Sequence, residues 1–280
     1  MIRRPPRSTH CISSAASDVY KRQPLSYVHP NSKIAENVVI DPFVTIEKNV
    51  EIGSGTWIGS NVTIMEGAII GKNCKIFPGA VISAPPQDLK YNGEQTYTYI
   101  GNNSTIRECV TINRGTQSKG KTFVGENVLV MAYSHIAHDC IISNNCILSN
   151  SVQIAGEVKI GEYTILGGLT AVHQFVKIGK HCMISGGSLV RKDVPHYVKA
   201  GRNPLSYVGI NSIGLRRRGF TKEKINEIQD IYRILYQKNS NNTNSILIIE
   251  TDMPISDERD EIITFVQNSI RGIMRGYKPI

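Results

Sequence analysis

Nowhere does an uninterrupted apolar run approach the roughly 18 residues that a membrane-spanning helix needs, so nothing here crosses a bilayer as a helix. Aromatic residues are scarce, 7% with a single Trp. They do not interleave with basic residues, which argues against stacking on nucleic-acid bases. The N-terminus lacks the apolar stretch of about 7 to 15 residues that a secretory signal requires. None of the six cysteines, Cys11, Cys74, Cys109, Cys140, Cys146 and Cys182, forms a CxxC pair. They read as small buried side chains in a reducing cytosol, and neither a structural metal nor a redox centre is expected.

What is present is ordinary for a soluble globular chain of 280 residues: 40% hydrophobic and 20% charged. The net charge of +9 overstates the basic character of the fold. Met1 to Gln23 carries five Lys or Arg against one Asp and has no apolar period, so it is set aside as a non-native leader (1–23) resembling translated adapter sequence.

From Val28 every sixth residue is aliphatic. Of 28 positions on this grid up to Val190, 25 are Val, Ile or Leu. Neither the 3.6-residue period of a helix nor the two-residue period of a plain strand produces that spacing. A solenoid of hexapeptide repeats does, with three hexads per triangular coil and each grid residue pointing inward. Glycines often follow grid residues, as at Gly53, Gly59, Gly71, Gly161 and Gly179, and are expected at the corners between faces. The three failures, Asp88, Glu94 and Ser118, place loops near 83–99 and 113–123 that leave the coil of 24–195.

Beyond the grid, 196–280 reads as a C-terminal helical domain. Ile225, Ile228, Ile231, Tyr232 and Leu235 form one stripe, closed by the Asn-rich break at Asn239 to Asn244. A last helix is expected to start at Ser256, with Asp257 and Glu258 in its first turn, and to use Ile262, Val266, Ile270 and Ile273.

Residues 18 apart stack at about 4.8 Å on one outer strip of such a coil. His138, Gly156 and Gln174 have that spacing. A histidine can take a proton near neutral pH, and a backbone N–H beside a glycine can hold a developing oxyanion, which together suit acyl transfer. Asp139 is available to orient the imidazole. The run HIAHDC at His135 to Cys140 also admits a metal reading, and a bland one of two solvent-facing histidines. Arg216 to Arg218, with Lys222 and Lys224, is either a solvated helix entrance or an anion site.

Several motifs in order carry a resemblance: QDLKY at Gln87 to Tyr91, IRECVTINRGT at Ile106 to Thr116, HIAHDC, GGLTAVHQF at Gly167 to Phe175 and GLRRRGF at Gly214 to Phe220. The chain resembles the UDP-N-acetylglucosamine acyltransferases from about Val28 to its C-terminus. The resemblance implies a mainly β fold, a left-handed parallel β-helix of hexapeptide repeats followed by a C-terminal α-helical domain, assembled as a cytoplasmic homotrimer with sites between neighbouring subunits. It implies transfer of a 3-hydroxyacyl group from acyl carrier protein to the glucosamine 3-position of UDP-N-acetylglucosamine, the first step of lipid A synthesis, with no cofactor, no nucleic acid and no membrane insertion. The matching positions make His138 the general base, Asp139 its partner and Gly156 the oxyanion contact. Gln87, Asp88, Lys90, His135, His173 and Gln174 would line the sugar and acyl groups, Asn211, Arg217 and Arg218 would meet the nucleotide, and Gly186 would set acyl length.

Three positions depart from well-known members: Asn113 and Glu157 stand where those carry histidine, and Ile213 replaces a glutamate. They bear on whether the acceptor atom is a 3-hydroxyl or a 3-amine. Rival readings are the related N-acyltransferase, which carries an extra domain ahead of its repeats, a coenzyme A-dependent acetyltransferase, a metal-dependent hydratase, and a non-catalytic scaffold.

Overall fold

A computed structural model of the chain describes residues 21–237 and 241–276. Most of the coil is built from two-residue strands that pair in parallel, residue i with residue i+18, as Trp57 with Lys75 and His135 with Gln153. Among the described residues, three sheets of twelve, nine and eight strands result. Face one carries strands such as Val39–Ile40 and Met183–Ile184, face two Tyr27–Val28 to Leu189–Val190, and face three Lys33–Ile34 to Lys177–Ile178. Every aliphatic grid residue from Ile40 to Val190 is buried, and only Val28 and Ile34, at the open end, are partly so.

A second inward position lies two residues before each grid residue, and it takes small side chains. Cys74, Cys140, Cys146 and Cys182 occupy it beside Val38, Val62 and Val152. Burial pushes the thiols of Cys140, Cys146 and Cys182 up to about 12, so they are inert at neutral pH. Where the position holds a hydroxyl, neighbouring coils satisfy it: Thr164 Oγ1 donates to the Gly179 carbonyl at 2.7 Å and accepts from the Cys182 N–H at 3.1 Å.

The glycines after grid residues do not make the left-handed corners. Those fall two residues later, at a run of positive φ that includes Asn37, Asn49, Asn61, Asn73, Asn127 and Asn145, a residue that tolerates this region better than most. Gly161 serves another purpose. A Cβ there would lie 2.5 Å from the Lys180 amide nitrogen, so its missing side chain is what lets successive coils close to strand spacing.

Both expected loops leave the same corner, between faces two and three. Lys75 pairs with Thr105, 30 residues on, and Thr105 pairs with Leu129, 24 residues on. The insertions therefore amount to two hexads and one hexad beyond the usual 18, matching the two failures at Asp88 and Glu94 and the single one at Ser118.

Two boundaries differ from expectation. Lys21–Arg22 pairs in register with Val39–Ile40, so the end of the stretch set aside as leader extends face one, while residues 1–20 lie outside the described residues. The C-terminal part opens with strands rather than helix: Val198–Gly201 continues face one alongside Met183–Ile184, then Ser206–Ile210 folds back antiparallel to it. Among the described residues four helices follow, α1 (Ser212–Arg217), α2 (Lys222–Gln237), α3 (Asn242–Asp252) and α4 (Asp257–Gln267). The stripe of α2 is buried as its spacing predicts. Ser256 caps α4 by accepting from the Arg259 N–H at 3.2 Å. That helix ends before Ile270, which is 96% exposed, and Ile273 is buried beyond it. Within the expected Asn-rich break, Asn241 instead caps α3, accepting from the Asn244 N–H at 2.8 Å.

An aromatic stack seals the junction: Tyr163, His181 and Tyr197 lie nearly parallel, with Phe220 edge-on, and His196 meets Phe265. Burial holds both His181 and His196 down to about 4. A depressed histidine pKa means that the unfolded chain binds protons first as pH falls from about 6.5. The stabilisation is complete above that value and is lost on descent towards 4, so the thermal midpoint should drop by several degrees between pH 7 and pH 5. A flat Tm across that window would show that these rings titrate normally. For the coil, Gly161→Ala should cost about 1–3 kcal/mol by denaturant unfolding, whereas Asn145→Gly, which keeps the left-handed corner, should stay within about 1 kcal/mol.

Candidate active site

The corner between faces two and three gathers the residues that the sequence singles out. His138 sits two residues past the inward Ile136 and is 8% exposed. Gly156 lies directly under its ring: a Cβ on Gly156 would be 2.5 Å from His138 Nε2. The next coil follows in register, with the Glu157 N–H donating to the His138 carbonyl at 3.0 Å and the Phe175 N–H to the Gly156 carbonyl at 3.1 Å. The counted column His138, Gly156, Gln174 therefore exists as one strip. Among the described residues, nothing accepts from the Gly156 N–H.

Asp139 is the left-handed corner residue of that coil and is 2% exposed. Its Oδ2 lies 2.8 Å from His138 Nδ1. A carboxylate only accepts, so Nδ1 carries a proton, and in the neutral ring Nε2, on the other side, is the free nitrogen. Sequence reasoning missed what holds the carboxylate. The Thr116 N–H reaches both its oxygens at 3.0 and 3.1 Å, the Thr116 hydroxyl donates to Oδ2 at 2.6 Å, and the Asp139 N–H donates to Thr122 Oγ1 at 2.8 Å. Thr116 belongs to the one-hexad loop. The grid failure at Ser118 marks that loop but does not say where its side chains reach.

The two-hexad loop overhangs the same strip. Asp88 Oδ2 stands 3.8 Å from His138 Nε2, while Gln87 and Lys90 are exposed on the loop surface. Glu94 ties the two loops together, accepting from the Asn92 N–H at 2.8 Å and from the Gln117 N–H at 3.0 Å. Arg114 Nε donates to the Tyr91 hydroxyl at 3.1 Å. Asn113 donates to the Pro85 carbonyl at 3.2 Å, and its buried Oδ1 has no partner among the described residues. Glu157, another left-handed corner, accepts from the Ser118 hydroxyl at 3.1 Å.

His135 stands on the outer side of face two with Nδ1 2.7 Å from the Thr111 hydroxyl, and burial, then His138, keeps it below the usual histidine range. His173 and Gln174 follow on the same corner two coils on. The His173 ring lies 3.2 Å from an Arg271 nitrogen of the C-terminal segment. Among the described residues no three His, Cys, Asp or Glu converge as metal ligands, and no helix is long and apolar enough to cross a membrane.

The remaining residues singled out are not brought to this corner. Asn211 caps α1 and donates to the carbonyl of His181, and Arg218 donates to the carbonyl of Tyr163 at 3.0 Å, both acceptors being corner residues between faces three and one. Arg216 and Arg217 end α1, where cations suit the helix dipole. Ile213 is exposed on α1. Gly186 sits at the third corner, between faces one and two. The three groups thus occupy three different edges of one prism.

The bacterial transferase hexapeptide model matches residues 49–84 and 121–156, and the model described as UDP-N-acetylglucosamine O-acyltransferase, domain 2, matches 193–274. Acyl-[acyl-carrier-protein]--UDP-N-acetylglucosamine O-acyltransferase of Thiobacillus denitrificans is 41% identical over 253 residues, 90% of this chain and 98% of that one. Among solved structures, a UDP-N-acetylglucosamine acyltransferase from Bacteroides fragilis superposes with a TM-score of 0.89 at 49% identity, covering 90% of this chain and 99% of that one. The Acinetobacter baumannii structure gives 0.88 at 39% identity, covering 92% and 100%. With likeness of this depth running through both the coil and the C-terminal part, the chain is an acyltransferase and belongs to the UDP-N-acetylglucosamine O-acyltransferase family.

Proposed function

We propose that the protein transfers a 3-hydroxyacyl group from acyl carrier protein to the 3-position of UDP-N-acetylglucosamine, in the cytoplasm, with His138 as general base. The observation that carries this is the His138 ring, with Nδ1 committed to buried Asp139 and Nε2 beside Gly156, whose N–H has no partner among the described residues. Nε2 takes the proton from the acceptor hydroxyl as its oxygen attacks the thioester carbonyl. The tetrahedral oxyanion is held by the Gly156 N–H. Collapse expels the carrier thiolate, which receives the proton back from the imidazolium. No covalent enzyme intermediate is required.

Gln87, Asp88, Lys90, His135, His173 and Gln174 line the sugar and acyl groups in this reading, and Asn211, Arg217 and Arg218 hold the nucleotide. The separation of these groups supports a homotrimer. One chain cannot bring three edges of its own prism together, but parallel neighbours can lay the nucleotide edge or the Gly186 edge of one protomer beside the base edge of another.

Incubation with UDP-N-acetylglucosamine and a panel of 3-hydroxyacyl carrier proteins, read by mass spectrometry, tests the assignment. His138→Ala should lose roughly 10²- to 10⁴-fold in kcat; an active His138→Ala sinks the base assignment, and an intact protein that acylates only the 3-amino sugar sinks the acceptor. In the same panel Gly186→Leu should move the preferred donor to shorter chains without abolishing transfer. An unchanged length profile would remove Gly186 from the acyl site.

A further inference from the structure

We propose that Thr116 is a positioning residue for the base: its hydroxyl fixes the Asp139 carboxylate and sets how strongly that carboxylate pulls on the His138 ring. The proposal rests on the assignment of His138 as base. The Thr116 hydroxyl is polarised by its surroundings. The Ser118 N–H, which only donates, points at Thr116 Oγ1 from 3.2 Å, so the hydroxyl accepts there and turns its own hydrogen to Asp139 Oδ2 at 2.6 Å. That oxygen is the one 2.8 Å from His138 Nδ1. A directional chain results, from the Ser118 amide through Thr116 to Asp139, where it meets the imidazole N–H.

Thr116, Asp139 and His138 are all buried, with only Ser118 exposed at the start of the chain, and the Asp139 side chain has no exposed surface, so water does not substitute for a lost donor. The one-hexad loop is held in place independently. The Gly120 N–H closes a turn on the Thr116 carbonyl at 2.7 Å, and Gln117 is tied to Glu94. Loss of the hydroxyl alone therefore leaves the loop where it is. The Thr116 N–H contact to Asp139 also survives a side-chain change.

Among the described residues three other charged or titratable groups lie near His138: Asp88 from the two-hexad loop, His135 from the preceding strand, and Glu157 of the next coil, whose N–H donates to the His138 carbonyl and whose carboxylate lies 3.9 Å from Lys119. All three are unaltered by a change at Thr116. With one donor removed, more of the Asp139 charge is available to the imidazole N–H, which favours the protonated ring.

The experiment compares Thr116→Val and Thr116→Ser with the unaltered protein across pH 5 to 9, using the transfer assay above. Thr116→Val should lower kcat by roughly 10- to 100-fold, a part of what a general base supplies, leave KM for the sugar within about 2-fold, and move the acid limb of kcat/KM to higher pH. Thr116→Ser should restore both kcat and the limb. Equal loss in the two variants, or a Val variant with an unmoved acid limb, overturns the proposal, because either assigns the effect to loop packing. His138→Ala in the same series separates the two levels: if it stays active, the base assignment has failed and the role of Thr116 falls with it, whereas an inactive His138→Ala beside an unmoved acid limb in Thr116→Val overturns the role of Thr116 alone.

Discussion

Each coil is held to the next by a contact at strand spacing that leaves no room for error. The aliphatic residue at every sixth place can stack on its counterpart only if the backbones above and below approach to about 4.8 Å, and that approach depends on what is absent at the corners. At Gly161 a single carbon would strike the next coil's backbone. The asparagines two residues later turn the chain at positive φ, so that the following strand begins on the next face. Given these two local conditions, the buried column, the three sheets and the register of every outer residue follow.

Register turns a sequence interval into a site. His138, Gly156 and Gln174 lie on one strip because nothing is inserted between them, and the two loops overhang it because both leave the same corner one coil apart. The chemistry is then arranged by donors and acceptors that have no choice of role. Asp139 can only accept, so His138 Nδ1 must give, and in the neutral ring Nε2 is the free nitrogen, next to Gly156.

The coil and the strip were legible in the residues because both depend on counting. The two insertions of the coil coincide with the three grid failures, and their lengths in hexads are implicit there. Sequence reading misassigned the glycines, since a residue after an inward position looks like a corner until the backbone shows that the turn comes later. The α3 helix escaped notice because asparagine marks breaks and helix caps alike, and only the apolar run behind Asn241 tells them apart. Thr116 was invisible for a different reason. It lies 23 residues from Asp139, on a segment without period, and no spacing rule connects a loop hydroxyl to a corner carboxylate.

The two loops leave the prism and rejoin it at the same edge, so the stack beneath does not register how long they are. An insertion within a strand of the coil would instead move the residues that follow it off the inward column. A change in chain length is therefore absorbed at a corner, and both insertions of the coil lie at the edge where His138 stands. In this fold, the edge that already takes insertions is also the edge that carries the His138 strip.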